Sequence, residues 1–341
     1  VLLGILTLKH SEPYHFTQEI VELMRVTATQ VAMVLENACL FTNLNQSLHS
    51  LGKANQKIEA YSRALDQEIE KCRQIQMSFL PKKLPQLPGW HIEEFFFPAT
   101  RVSGDFYDAF LLPGGYVGLV IGDVCDKGVG SALFMALFRS LLRIFSGQTH
   151  LCKHLCESFI TASQKKAGDL IIQPETAAVE QTNPLSAVSL TNEYIAQDNE
   201  MSMFATLFFG VLNPKNGQLF YVNGGHEAVF IIDQKGVRER LMATGPSVGI
   251  FEEAKFTYKE IQLQPGEILF AYTDGVIDAR TPEGDRFSKK RLDALLSQPM
   301  DNALDLMQRI ATSLFAHIGM APQEDDITML TVQRKNSNKP D

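Results

Sequence analysis

RVSGDFYDAFLLPGGYVGLVIGDV, residues 101–124, places two aspartates, Asp105 and Asp123, at the outer ends of two β-type runs joined by Pro113-Gly114-Gly115. Their separation of 18 residues (123 − 105) is enough for a strand, a tight turn and a return strand. Such a hairpin brings both carboxylates to one end of a sheet. Two more acidic spots share this setting, TDG at Asp274 and EDD at Asp325 and Asp326, each bordering a short apolar run. Carboxylates gathered at neighbouring strand ends repel one another, and a fold keeps them charged by binding cations. Oxygen ligands without His or Cys beside them select magnesium or manganese over zinc. Two such ions, about 3.5–4 Å apart, lower the pKa of a bridging water and aim it at phosphorus, so the pattern implies metal-assisted hydrolysis. Gly104 and Gly122 precede their aspartates and Gly275 follows its own, which lets backbone approach the ions closely. Any one Asp-Gly pair is explained equally well as a turn; four acidic spots on apolar strand ends are harder to explain that way.

The chain around this stretch has 341 residues, more than one core usually organises, so two or three units are expected. A composition of 45% hydrophobic and 21% charged residues excludes global disorder. The net charge of −8 argues against a nucleic-acid-coating role and suits a collector of divalent cations. The longest apolar run, 132–145, is interrupted by Arg139 and Arg143, so no membrane segment is expected. Five cysteines without CxxC pairing indicate neither a disulfide framework nor a zinc site, and a reducing cytoplasm is the simplest compartment. The chain opens at Val1 in what reads as the middle of a strand, so it is taken as a fragment.

From Thr17 the pattern is helical, with Ile20, Leu23, Met24, Val31, Val34 and Leu35 recurring largely at three and four. Leu44, Leu51, Ile58, Leu65, Cys72 and Phe79 then repeat every seven. With these as d positions, the a positions are Leu48, Asn55, Ser62, Ile69 and Gln76, a half-polar seam that predicts a weak parallel homodimer through a linker helix over 43–80. A long helix packed on its own domain is the competing reading. Pro81, Pro85, Pro88 and Gly89 end the helix. Beyond Trp90 the runs HIEEFFF, YVGLVIGDV, MFATLFFGVL, LFYVNGG, AVFIID, GEILFAYTDG and DITMLTV read as strands, with helices over 131–146 and 289–318. An α+β layered domain is expected. Residues 164–200 read as a loop closing with a short helix near 190–196.

The stretch GILTLKHSEPYHFTQEIVELMRVTATQVAMVLENACLF (4–41) resembles the last strand and closing helix of a GAF sensor domain, which implies a C-terminal remnant of such a domain over 1–42. The segments RVSGDFYD (101–108), IGDVCDKGVGSALFMA (121–136), MFATLFFGVLNPKNGQLFYVNGGHEA (203–228), GPSVGIF (245–251), ILFAYTDGVIDA (268–279) and EDDITMLTV (324–332) resemble, in order and spacing, the PPM or protein phosphatase 2C-like serine/threonine phosphatases. Within that family they are similar to the branch of stage II sporulation protein E and the sigma-factor regulatory phosphatases, and IQMSFLP (75–81) resembles its lead-in. The resemblance implies an α-β-β-α sandwich over 81–335, followed by a tail at 336–341. It implies two divalent cations, manganese or magnesium. Asp123 would bridge both, Asp105 and the Val124 carbonyl would bind one, and Asp274 and Asp325 would hold the other, with Asp326 as the alternative.

Departures accompany the match. Ser103-Gly104-Asp105 stands where many relatives have Gly-Gly-Asp, and Cys125-Asp126-Lys127-Gly128 where they have Ser-Gly-Lys-Gly. Asp126 reads as a turn residue or as an outer ligand acting through water. Arg101 is either a phosphate-gripping fork or a solvated surface arginine. His226 either approaches a third metal at the rim or is a hydrogen-bonded structural histidine. Thr273 stands beside Asp274, where it could orient water or simply occupy a strand. The expected activity is removal of phosphate from Ser or Thr of a regulatory protein of the anti-sigma-factor antagonist type, in the cytoplasm, under the control of a sensor. Two rivals are a catalytically silent partner-binding module and a small-molecule phosphohydrolase.

Overall fold

The structure, a computed structural model, describes residues 4–13, 15–147, 183–197, 199–300 and 302–336. Contacts divide the chain into two compact units, Val1–Glu68 and Ile69–Asp341. The division falls inside one continuous helix, α1 (Gln18–Phe79). The second unit therefore begins within the segment expected to be linker.

In the first unit the helical periodicity from Thr17 is realised as α1. A strand is expected over residues 1–9; its described part, 4–9, forms none and is exposed, since a strand persists only with a neighbour to pair with. Leu44, Leu51, Ile58 and Leu65 of the heptad seam are between 56% and 64% exposed. No described helix is long and apolar enough to cross a membrane.

The second unit is a pair of five-stranded antiparallel sheets. One runs in the order β2 (Asp105–Leu111), β3 (Val117–Val124), β4 (Ala205–Leu212), β5 (Gln218–Gly224), β8 (Lys259–Gln262). The other runs β1 (Trp90–Phe97), β10 (Ile327–Arg334), β9 (Ile268–Tyr272), β6 (Val229–Asp233), β7 (Gly236–Leu241). Side chains alternate between the two faces of each strand. Leu119, Ile121 and Phe208 therefore meet Trp90, Leu269, Leu330 and Val332 between the sheets. Helices α2 (Val129–Phe145) and α3 (Pro184–Gln197) cover the outer face of the first sheet, packing Phe138 and Val188 on Phe106 and Phe209. Helices α5 (Ser288–Leu296) and α6 (Ala303–Ile318) cover the second, packing Leu292 and Ile310 on Phe270 and Met329. A short α4 (Gly275–Asp278) follows β9. These layers are the expected α-β-β-α sandwich.

The differences from the sequence reading have local causes. One helix over 289–318 is two, because Pro299 lies between them and cannot continue the first. The helix expected near 190–196 begins at Pro184; the rest of the expected loop up to residue 182 lies outside the described residues. Strands β7 and β8 were not anticipated: both are sheet edges, and in GVRERL and KEIQ the exposed charges hide the alternation. The arginines that interrupt the apolar run of α2 turn to Asp108, which is fully buried and held by Arg139 at 2.8 Å and by Arg143 at 2.5 and 2.7 Å.

The hairpin itself is set by aromatic–glycine pairs. Phe106 lies opposite Gly122 and Phe110 opposite Gly118, with each ring over its glycine, the arrangement that restores packing where glycine leaves a gap. A Cβ at Gly122 would sit 2.8 Å from the Phe106 ring and 2.9 Å from the Thr206 carbonyl oxygen. Gly122→Ala is therefore expected to cost about 1–3 kcal/mol by overpacking. Thermal unfolding should show a drop of several degrees in Tm, and an unchanged Tm would contradict this packing.

Candidate metal centre

The alternation that sends Leu119 and Ile121 into the space between the sheets sends Asp123 to its open end. Asp105 is paired directly with Asp123 across the hairpin, so the two carboxylates share a face. Asp105 is 2% exposed, and its Oδ2 accepts hydrogen bonds from the Thr273 hydroxyl at 2.7 Å and the Thr328 hydroxyl at 2.5 Å. Those threonines belong to the opposite sheet, at the end of β9 and the start of β10, so Asp105 ties the two sheets together at their mouth. Thr273 is thus a partner of Asp105.

The adjoining aspartates just before β10 divide the work between them. Asp326 is buried, and its carboxylate hydrogen bonds hold the loop before β2: Oδ1 accepts from the Ala99 amide at 2.7 Å, while Oδ2 accepts from the Ser103 hydroxyl at 2.6 Å and the Gly104 amide at 3.1 Å. Asp325 is half-exposed and faces Lys127, whose ammonium lies 2.8 Å from Oδ1. Asp274 ends β9 at the N-cap of α4 without a side-chain capping bond. The backbone behind it is tight, since a Cβ at Gly275 would fall 1.9 Å from the Asp326 carbonyl oxygen. A Cβ at Gly104 would likewise fall 2.6 Å from the Val124 carbonyl oxygen and 3.3 Å from Asp123 Oδ1. Glycine is thus required at both positions for the backbone to reach the acidic cluster.

The electrostatics report one cluster. Burial raises the Asp105 carboxyl well above its ordinary value and Asp123 adds to this, while the two threonine hydroxyls oppose it. Burial, then Asp274 and Asp325, push Asp123 up to about 7. Burial followed by Asp325, Asp278 and Glu227 raises Asp274. Among the described residues the three-ligand group with donor atoms within 4.8 Å of one another is the exposed set His10, Glu12 and His15. Among the described residues no three of the aspartates bring their oxygens that close together, although Asp105 and Asp123 are in hydrogen-bond contact. All-oxygen donors, Asp105 buried and Asp123, Asp274 and Asp325 partly buried, around a glycine-lined cradle fit hard divalent cations.

The remaining residues singled out from sequence lie around this centre in different roles. Asp126 is exposed at φ 68°, and its carboxylate accepts from the Lys127 amide at 2.8 Å, which is the geometry of a turn residue. Arg101 is exposed, and its charge acts on Glu70 of α1, whose carboxyl is lowered chiefly by its hydrogen bond with Arg73. His226 is buried beside Thr206, its Nδ1 3.1 Å from that hydroxyl, and Thr206 is the cross-strand partner of Asp123. Burial pushes His226 down to about 4 against a backbone contact with Tyr272, so it is neutral at neutral pH. Sequence reasoning did not find Thr328, Lys127 or Gln76 as parts of this neighbourhood, and a threonine in a strand or a glutamine in a helix carries no signal of its own. A cleft of about 720 Å³ lies at the other end of the second sheet, between His91, Ile268 and Gln333.

The chain is similar to known proteins across this domain. Residues 113–335 match the family described as "Stage II sporulation protein E (SpoIIE)". Protein IcfG of Synechocystis is 47% identical over 275 residues, which cover 78% of this chain and 41% of that protein, so the chain spans less than half of that relative's length. Phosphoserine phosphatase RsbU of Bacillus subtilis is 25% identical over 283 residues, covering 82% of this chain and 74% of that protein. The solved SiaA-PP2C domain of Pseudomonas aeruginosa superposes with a TM-score of 0.62 at 18% identity, covering 80% of this chain and 98% of that domain, which shows a shared fold.

The raised carboxyls make a prediction for the metal-free chain. A carboxyl whose folded pKa lies above its unfolded value, about 3.9 for Asp, binds more protons when folded, so stability falls as pH rises between the two values. For Asp123 that window runs from about 4 to about 7. Chemical denaturation in chelator should show the stability gap between Asp123→Asn and the unsubstituted chain widening in favour of the variant across this window. The expected slope is up to about 1.4 kcal/mol per pH unit. A gap that does not change with pH would contradict the electrostatics of the cluster.

Proposed function

We propose that this chain, which belongs to the stage II sporulation protein E family of PP2C-like phosphatases, hydrolyses phosphoserine or phosphothreonine on a regulatory protein. The observation that carries the reading is the in-register pairing of Asp105 with Asp123 at the mouth of the two sheets, with Asp274 and Asp325 acting on Asp123 from across it. In this reading Asp105, Asp123 and the Val124 carbonyl would hold one divalent cation, and Asp123, Asp274 and Asp325 would hold the other, magnesium or manganese. Bound there, the cations would supply a water of lowered pKa and positive charge for the phosphoryl oxygens.

The chain's own residues prepare that site. Thr273 and Thr328 fix the Asp105 carboxylate from the opposite sheet, so it is oriented before any ion arrives. Asp326 fixes the loop that presents Asp105 and serves as an anchor, which favours Asp325 as the ligand of the pair. Lys127 neutralises Asp325 at 2.8 Å. Asp274 and Asp325 are only partly buried, so the mouth is open to a phosphorylated side chain on a folded protein. RsbU is named a phosphoserine phosphatase, which supports a phosphoserine substrate; we take it to be a regulatory protein of the anti-sigma-factor antagonist type. We place the activity in the cytoplasm and assign 1–42 to a GAF-like remnant, 43–80 to the linker and 81–335 to the phosphatase domain.

Manganese-dependent release of phosphate from a phosphoserine protein is the direct test. Asp123→Asn is expected to lower turnover at least about 100-fold, in line with loss of a metal ligand or its orientation. Faster turnover of free sugar or nucleotide phosphates than of the phosphoprotein would overturn the substrate class, and metal-independent activity would overturn the mechanism. The exposed heptad residues of α1 support a homodimer through the linker helix. Leu51→Pro should therefore reduce the mass in solution from dimer to monomer by light scattering. A chain that is monomeric before the substitution, or dimeric after it, would contradict that role.

A further inference from the structure

Gln76 is the buried residue of the 62-residue helix α1. It is 4% exposed, on a helix whose apolar heptad residues are mostly exposed, and it makes two hydrogen bonds to the backbone of one residue, Ser103. Its Nε2 donates to the Ser103 carbonyl, and its Oε1 accepts from the Ser103 amide at 3.0 Å. Ser103 is itself 1% exposed and lies in the irregular segment between β1 and β2, where no strand partner serves its backbone. The Ser103 hydroxyl donates to Asp326 at 2.6 Å and accepts from the Asp105 amide at 3.1 Å. The next peptide accepts from the Val124 amide through the Gly104 carbonyl at 3.2 Å. One side chain of α1 thus lies a single residue from both backbone groups that border the acidic cluster.

From this geometry we infer that Gln76 is a positioning residue for the metal centre: it clamps Ser103, and through Ser103 it fixes the place of Asp105 and Gly104. The inference rests on the reading of the site as a metal centre and adds to it the residue by which α1 acts on that site. An amide serves here because it presents one donor and one acceptor side by side, matching the carbonyl and amide of a single residue. In heptad phase Gln76 follows Leu48, Asn55, Ser62 and Ile69 at the a position. In the sequence, the heptad phase thus runs on into the residue that grips the metal loop. A turn of this helix about its axis would draw Gln76 off Ser103 and leave two buried backbone groups unpaired.

The test uses the full chain with Gln76→Ala and the near-isosteric Gln76→Glu, which keeps the acceptor and turns the donor into a second acceptor. Hydrogen exchange is read without metal, and manganese affinity by calorimetry without substrate. Both variants should keep the unfolding cooperativity of the domain, exchange the Ser103 and Asp105 amides at least tenfold faster, and raise the manganese Kd at least tenfold. Turnover of a phosphoserine protein should recover at saturating manganese, since the substitution displaces ligands and removes none. Combining Gln76→Ala with Ser103→Ala should weaken manganese binding by less than the product of the single effects. Unchanged exchange at residues 103–105, or fully multiplicative effects of the two substitutions, would overturn the inference. If the unsubstituted chain binds no manganese, the proposed function falls and the exchange rates alone decide the clamp.

Discussion

The structure turns on the burial of like charges. Asp105 and Asp123 occupy positions that the strand alternation would otherwise fill with core side chains, and Asp274 and Asp325 add their charge at the rim. Burying one carboxylate without a partner is costly, and burying several together is costlier. The chain meets this with hydroxyls from the facing sheet, an anchoring carboxylate whose bonds are all satisfied, and a lysine at the rim. These devices orient the cluster and leave its charge largely unneutralised. A site that stays electrostatically unfavourable until cations arrive has a large driving force for binding them.

The sandwich supplies what this arrangement needs. Two sheets, each covered by helices on its outer face, leave an apolar interior that closes the far side of the cluster and lowers the local dielectric. The hairpin pairs two acidic strand ends in register, and the neighbouring ends of β9 and β10 bring the hydroxyls and the second pair of aspartates. Glycine at 104 and 275 lets backbone close to distances that any side chain would block. The irregular segment before β2 is the weak point of such a design, because its backbone groups have no ladder. Asp326 and Gln76 take that place from opposite directions.

The sequence was most legible where periodicity and chemistry coincided. Alternating apolar runs ending in aspartate marked the strands and the acidic ends together, which made the hairpin and the α+β layering readable before any coordinates. Edge strands β7 and β8 were not readable, because their outward charges mask the alternation and their register comes from the neighbouring strand. The division of labour between Asp325 and Asp326 was also hidden, since both lie in irregular chain before β10 and it is the fold that brings Asp326 to the loop before β2 and Asp325 to Lys127. Thr328 and Gln76 carried no signal because their roles arise from contacts more than twenty residues away in sequence, Thr328 with Asp105 and Gln76 with Ser103.

The central claim is that the aspartates at the mouth of the sheets gather paired cations. A crystal of the chain soaked in manganese, with anomalous scattering recorded at the manganese edge, tests it most directly. Two peaks are expected, one bounded by Asp105, Asp123 and the Val124 carbonyl and the other by Asp123, Asp274 and Asp325. Absence of anomalous density between these residues, with manganese bound elsewhere, would contradict the account.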